Sequence, residues 1–115
     1  MRRGDIVAVS LDLVRGAEAS KTRPAVVVSN DAANATADRL GRGVITVVPV
    51  TSNTARVYPF QVLLRASQTG LSSDSKAQGE QVRSVAVERI GRRLGRVPAA
   101  AMAELDQALR LHLGL

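Results

Sequence analysis

The chain has 115 residues, enough for one domain spanning residues 1–115 around one hydrophobic core and too few for a second independent core. Its 45% hydrophobic content includes only two aromatic residues, Tyr58 and Phe60, so the core is aliphatic, and the absence of cysteine removes disulfides, thiolate metal sites and a cysteine nucleophile and fits a reducing cytoplasm. A formal charge of +6, with 16 basic residues of which only Lys21 and Lys76 are lysine, leaves two readings open: generic solubility, or an anionic partner such as nucleic acid gripped by arginine forks.

The basic start Met1-Arg2-Arg3-Gly4-Asp5 runs into only a short alternating apolar stretch. A signal peptide needs a continuous apolar region and a membrane helix about 20 such residues, so a soluble, unexported protein is expected. Asp5 to Leu11 predicts a strand and Asp12 to Ser20, with Gly16, a loop. Arg23 to Ser29 (RPAVVVS) is a β-branched run too short for a typical helix, with Pro24 near its beginning, where a missing N–H is tolerated. Asn30 to Leu40 has capping residues, helix-forming alanines and Gly41 as a stop, but little apolar periodicity; a short helix or an ordered excursion both fit.

Val44 to Val50 (VITVVPV) is a second β-branched run, with Pro49 indicating an edge or a bulge near its end, and Thr51-Ser52-Asn53-Thr54 is a polar loop signature. Val57 to Leu64 predicts a strand with Pro59 near its start, Ala66 to Ser75 a loop, Lys76 to Val87 one strand, and Arg89 to Val97 a short basic strand or turn. Pro98 suits the first turn of a helix, and Met102, Leu105, Leu109 and Leu113 follow on one face. The pattern is mainly β with α: about five to seven short strands closed by a C-terminal helix, a small, strongly bent sheet or barrel.

The usual catalytic inventory is nearly empty. The single histidine, His112, sits in the final helix with no second histidine for an acid/base relay, and reads as structural or exposed. No HExxH, Walker loop or dinucleotide fingerprint occurs and the acidic residues are scattered, which disfavours metal and nucleotide mechanisms, so no cofactor is expected. What remains are polar residues at strand ends. Arg23 could bind a phosphate and stabilise charge on its oxygens while the Thr51 hydroxyl donates to the same group. On spacing alone the plainer readings are favoured: Arg23 capping loop carbonyls, Thr51-Ser52-Asn53 a turn, and Arg83, Arg89, Arg92, Arg93 and Arg96 halves of surface ion pairs.

At these positions the sequence resembles the MazF/PemK family of toxin endoribonucleases over nearly its whole length. The pieces occur in order: Arg3-Gly4-Asp5-Ile6-Val7, Gly16-Ala17-Glu18, Arg23 to Asp31, Val48-Pro49-Val50-Thr51-Ser52, Glu80-Gln81-Val82-Arg83-Ser84, and Leu105 to Leu109 in the final helix. The resemblance implies a small SH3-like β-barrel of the CcdB/PemK type with a C-terminal helix, working as a homodimer with substrate across the dimer face. It implies metal-independent cleavage of single-stranded RNA by 2′-hydroxyl attack, leaving a 2′,3′-cyclic phosphate and a 5′-hydroxyl. Arg23 and Thr51 fall at the family's catalytic positions, and Glu18, Ser52, Gln81 and Arg83 are substrate-binding candidates. The loops 15–22 and 66–75 would flank the groove and set which bases are read.

The partner implied is an antitoxin whose acidic, flexible tail enters the basic groove in place of RNA. Two other classes share the expected fold: a non-enzymatic CcdB-like gyrase poison, although the chain end lacks the aromatic terminus of that class, and an SH3-like module that binds RNA without cutting it.

Overall fold

The computed structural model describes residues 1–11 and 22–115. Seven antiparallel strands form one sheet: β1 (Asp5–Ser10), β2 (Thr22–Val27), β3 (Val44–Thr51), β4 (Gln61–Leu64), β5 (Ser75–Gln78), β6 (Arg83–Ala86) and β7 (Ile90–Arg96). Their order is β4-β5-β3-β2-β1-β7, with β6 also paired to β3. The end strands β4 and β7 are not paired with each other, so among the described residues the expected barrel is a bent sheet left open along one side. Among the described residues three α-helices accompany it: α1 (Asp31–Leu40), α2 (Ala66–Thr69) and the C-terminal α3 (Ala99–Leu113). None of the described helices is long and apolar enough to cross a membrane.

The two valine-rich runs form the centre of the sheet because both of its faces are covered there. On one face Ile6, Val26, Val48, Val50, Val62 and Leu64 pack with Leu105 and Ala108 of α3. On the other, Val7, Val9, Ala25, Val27, Ile45 and Val47 pack with Ala37 of α1. A strand buried on both sides reads as a continuous apolar run rather than an alternation, which is what VVV and VITVVPV are.

Local signals account for the helices. The Asn30 side chain accepts from the Ala33 N–H at 2.8 Å, and Gly41, with φ of 65°, ends α1 by donating its N–H to the Ala37 carbonyl at 2.8 Å. The open choice at Asn30 to Leu40 is thus resolved as a helix. Pro98 caps α3 from just outside its first turn, with the Met102 N–H reaching the Pro98 carbonyl at 2.9 Å. Leu105 is fully buried and Met102 and Leu109 pack against the core, but Leu113, the last member of the stripe, is exposed. His112 is exposed in the last helical turn, beside the negative end of the helix dipole.

Four stretches differ from the sequence expectation. Pro49 lies neither on an edge strand nor at a bulge: it pairs with Ala25 of β2, and on its other side β3 changes partner, its pairing with β6 stopping at Val47 and its pairing with β5 starting at Val50. Its missing N–H falls at that break. Val57 to Leu64 is strand only from Gln61, because Pro59 sits in a turn in which the Gln61 N–H donates to the Tyr58 carbonyl at 2.8 Å. Lys76 to Val87 is two strands, split by a 3-10 turn at Gly79–Gln81. The predicted loop 66–75 begins with the single turn α2, closed by Gly70 at φ of 85°. Arg89 to Val97 resolves to strand β7.

Asp5 fastens β7 to the start of β1. Its buried carboxylate accepts from the Arg2 N–H at 2.8 Å and from Arg96 Nη1 at 2.7 Å, with Arg93 Nε at 3.5 Å. Burial pushes its pKa up, but the Arg2 N–H, the Arg96 hydrogen bond and the charges of Arg93 and Arg96 outweigh burial and hold it below the ordinary aspartate value. A depressed folded-state pKa contributes stability that is present above the unfolded value, about 3.9, and is lost as pH falls through the folded value. Urea unfolding of the native protein and of Asp5→Asn should therefore show the native protein losing its advantage below about pH 4. Parallel pH profiles for the two proteins would remove Asp5 from this role.

Candidate active site

The strand-end residues singled out in the sequence meet at the lip of the sheet. β2 and β3 are antiparallel with Ala25 opposite Pro49; continued by two residues, the same register brings Arg23 opposite Thr51. The two residues are far apart in sequence and adjacent in space because the β2-α1-β3 path folds back on itself. Both line an open cleft of about 420 Å³, together with Ser52, Leu71, Ser72 and Ser75. The segment Leu71–Ser75 comes from the predicted groove-flanking loop. It is held in place by Gly70, by the Leu71 N–H donating to Thr69 Oγ1 at 3.3 Å, and by the Ala66 N–H donating to Asp74 Oδ1 at 2.8 Å.

Among the described residues, the chemistry of the cleft is one cation and several hydroxyls. Arg23 is exposed and has no hydrogen-bond or ion-pair partner among the described residues. Thr51 does make the turn foreseen for it: its hydroxyl oxygen accepts from the Asn53 N–H at 3.2 Å, and Asn53 Oδ1 accepts from the Ala55 N–H at 3.2 Å. That contact uses a lone pair of the Thr51 oxygen and leaves its O–H free to donate. Turn and donor roles are therefore compatible in the same residue. Ser52 is exposed at the rim, while the Ser75 hydroxyl is committed to the Ser73 carbonyl at 3.0 Å.

The remaining candidates are placed differently. Gln81 is exposed in the 3-10 turn and Arg83 is exposed at the start of β6, opposite Val47. Val47 lies four residues from Thr51 along β3, about 13 Å at the strand rise, so Gln81 and Arg83 do not join the Arg23 cleft. Strand alternation does put Arg83 on the same sheet face as Thr51. No carboxylate lies within ion-pair distance of Arg83 among the described residues, so the expected surface pair is not formed there. Arg93 and Arg96 do pair with Asp5, whereas Arg89 donates to the Ser10 carbonyl at 3.2 Å. Glu18 lies outside the described residues.

Lys76 was not anticipated. It stands on β5 directly opposite Thr51 of β3, is 8% exposed, and donates from Nζ to the Arg56 carbonyl at 2.6 Å while lying 5.9 Å from the centre of the Tyr58 ring. It therefore ties the loop that follows Thr51 back onto the sheet and adds a buried positive charge beside the cleft. The signal available in the sequence was compositional: a lysine inside a strand of a chain that otherwise uses arginine almost throughout. Among the described residues no three His, Cys, Asp or Glu side chains stand together as a metal site would require.

Comparison with known proteins bears on what such a cleft is for. A family profile described as PemK-like, MazF-like toxin of type II toxin-antitoxin system matches residues 2–113. Endoribonuclease MazF9 of Mycobacterium tuberculosis is 70% identical over 115 residues, covering 100% of this chain and 98% of that protein. Among solved structures, a MazE-MazF crystal structure from Deinococcus radiodurans superposes with a TM-score of 0.79 at 31% identity, covering 100% of this chain and 96% of that one. An endoribonuclease in complex with its cognate antitoxin, from a mycobacterial species, gives a TM-score of 0.75 at 26% identity, again covering 100% and 96%.

Proposed function

The chain belongs to the PemK-like, MazF-like toxins of type II toxin-antitoxin systems and is an endoribonuclease, and from that premise we propose that residues 1–115 act as one domain that cuts single-stranded RNA at short sequence motifs without a metal. The observation that carries the proposal is that Arg23 and Thr51, at the ends of β2 and β3, line one cleft among hydroxyls.

In this mechanism the guanidinium of Arg23 grips the non-bridging oxygens of the scissile phosphate in a bidentate fork. The Thr51 O–H donates to the same phosphate while the Asn53 N–H fixes its oxygen. The ribose 2′-hydroxyl gives up its proton to solvent as its oxygen forms a bond to phosphorus, the bond to the 5′-oxygen breaks, that oxygen takes a proton from solvent, and the products are a 2′,3′-cyclic phosphate and a 5′-hydroxyl. Negative charge builds on the phosphate oxygens on the way, so donors already aimed at them lower the barrier. Arginine stays protonated at any working pH, so Arg23 stabilises charge rather than taking the 2′ proton. The substrate must be RNA because DNA has no 2′-hydroxyl.

In this reading the protein works in the cytoplasm as a homodimer; its silencing by a cognate antitoxin is supported by the antitoxin-bound structures of its relatives. An acidic, flexible antitoxin tail would compete with RNA for the Arg23 cleft, and a chain of net charge +6 favours that exchange.

Purified protein incubated with labelled RNA and excess chelator should cut at a defined site and leave 2′,3′-cyclic phosphate ends. A single 2′-deoxy substitution at the nucleotide 5′ to the cut should abolish cleavage there. Cutting that persists at the deoxy position, or that requires added metal, would rule out the mechanism.

A further inference from the structure

The Arg23 cleft does not end at Arg23. A second cleft of about 350 Å³ shares Pro24, Leu71 and Ser72 with it and extends over β7 to Arg92, Arg93 and Leu94. The two form one furrow with an apolar floor, Pro24 and Leu71, and cationic ends. β1 lies between β2 and β7, with Val9 facing both Arg23 and Ile90. Two strand spacings across and two residues along put the backbones of Arg23 and Arg92 about 12 Å apart, close enough for their long side chains to hold phosphates at different positions on one strand.

The two arginines at the β7 end differ in commitment. Arg93 is engaged, with Nε 3.5 Å from the Asp5 carboxylate and 3.3 Å from the Gly95 carbonyl. Arg92 is exposed and has no hydrogen-bond or ion-pair partner among the described residues. Arg92 lines the second cleft together with Leu94, which packs on the α3 side of the sheet.

We infer that Arg92 holds a backbone phosphate of the RNA outside the scissile step, so that the furrow from Thr51 to Arg92 is the track of the strand. The inference rests on the RNA-cleaving reading for its ligand but not for its test. A charged furrow with a narrow apolar floor suits a single-stranded polyanion, whose phosphates meet the arginines while sugars and base edges lie over Pro24 and Leu71.

The test uses a fully 2′-O-methylated 20-mer RNA, which cannot be cut by 2′-hydroxyl attack at any position, and a trimer of the same chemistry. Arg92→Ala should weaken 20-mer binding by about three- to tenfold at low salt and reduce the slope of log affinity against log salt by about 0.7, one single-strand phosphate contact. Trimer binding should not change, and Arg92→Lys should recover most of the loss. Unchanged affinity and slope would overturn the inference, as would an equal loss on trimer and 20-mer, a shift in oligomeric state by light scattering, or no binding of the 20-mer by the native protein. If the Arg92-dependent slope is found while unmodified RNA is never cut, the track stands and the nuclease mechanism falls.

Discussion

Replacing Arg23 by alanine is expected to lower RNA cleavage by about 10²- to 10³-fold, the usual cost of removing a donor aimed at the charge that develops in a transition state. The fall should be in kcat as well as kcat/KM, because the guanidinium interacts more strongly with the phosphate as its oxygens gain charge. Arg23→Lys should recover little, since an ammonium is a point charge and cannot reproduce the two parallel N–H bonds of the fork. The fold should be untouched: Arg23 is exposed and without a partner among the described residues, so the melting temperature of Arg23→Ala should stay within a degree or two of the native value, on the order of a surface substitution. Thr51 separates donor from scaffold within the same experiment. Thr51→Ser keeps the hydroxyl that accepts from the Asn53 N–H and should keep most activity, whereas Thr51→Val loses both roles and should fall by at least about tenfold. Cleavage by Arg23→Ala within a few fold of native, with the fold intact, would mean that the phosphate is held elsewhere.

What could be read in the sequence, and what could not, divides along physical lines. The runs around Val26 and Val48 were legible because burial on both faces leaves an unbroken β-branched signature, whereas at α1 the local signals of Asn30 and Gly41, with little apolar periodicity between them, left a helix and an ordered excursion both open. α2 was not legible: four residues carry no periodicity, and its existence depends on Gly70 turning the chain. The break in Lys76 to Val87 was hidden because its cause is distant in sequence. Gly79 passes so close to the Phe60 carbonyl that a Cβ there would lie 2.4 Å from the oxygen, and the chain leaves the strand at that contact. The site shows the same division. Arg23 and Thr51 look like ordinary strand-end residues until the β2-β3 register sets them opposite each other, and residue spacing alone favoured turn and capping roles; the ordered family resemblance singled them out without supplying the geometry. Lys76 was read only as the start of a strand, and the Arg56 carbonyl and the Tyr58 ring explain how its charge is accommodated when buried.

Gly95→Ala is expected to be the most damaging single-methyl change among these close contacts, and to damage function as well as stability. A Cβ at Gly95 would lie 2.1 Å from the Thr69 carbonyl oxygen and 3.2 Å from its carbon, both backbone atoms that cannot rotate away. Thr69 is buried, and its hydroxyl donates to the Arg65 carbonyl at 2.9 Å while accepting from the Leu71 N–H, so α2 has little freedom to retreat. β7 has little either, because Arg96, next to Gly95, is bound to the Asp5 carboxylate. Overpacking of this kind costs about 2–3 kcal/mol, which for a domain of this size lowers the melting temperature by on the order of 10 °C. The strain also has a direction. Thr69 and Gly70 lead into Leu71 and Ser72, which line both halves of the furrow, so whatever shift relieves the contact displaces that lining relative to Arg23 and Thr51. The substitution should therefore weaken RNA binding even at temperatures where the variant is fully folded. Gly114→Ala is the control: that glycine has φ of 72° but nothing within 4 Å of a Cβ, so only the left-handed backbone penalty of about 1–2 kcal/mol applies, at a helix end far from the cleft in sequence. Thermal unfolding followed by circular dichroism, paired with binding of uncuttable RNA, distinguishes the two. A Gly95→Ala protein that melts with the native one would show that β7 and α2 are not in the contact that positions the cleft wall.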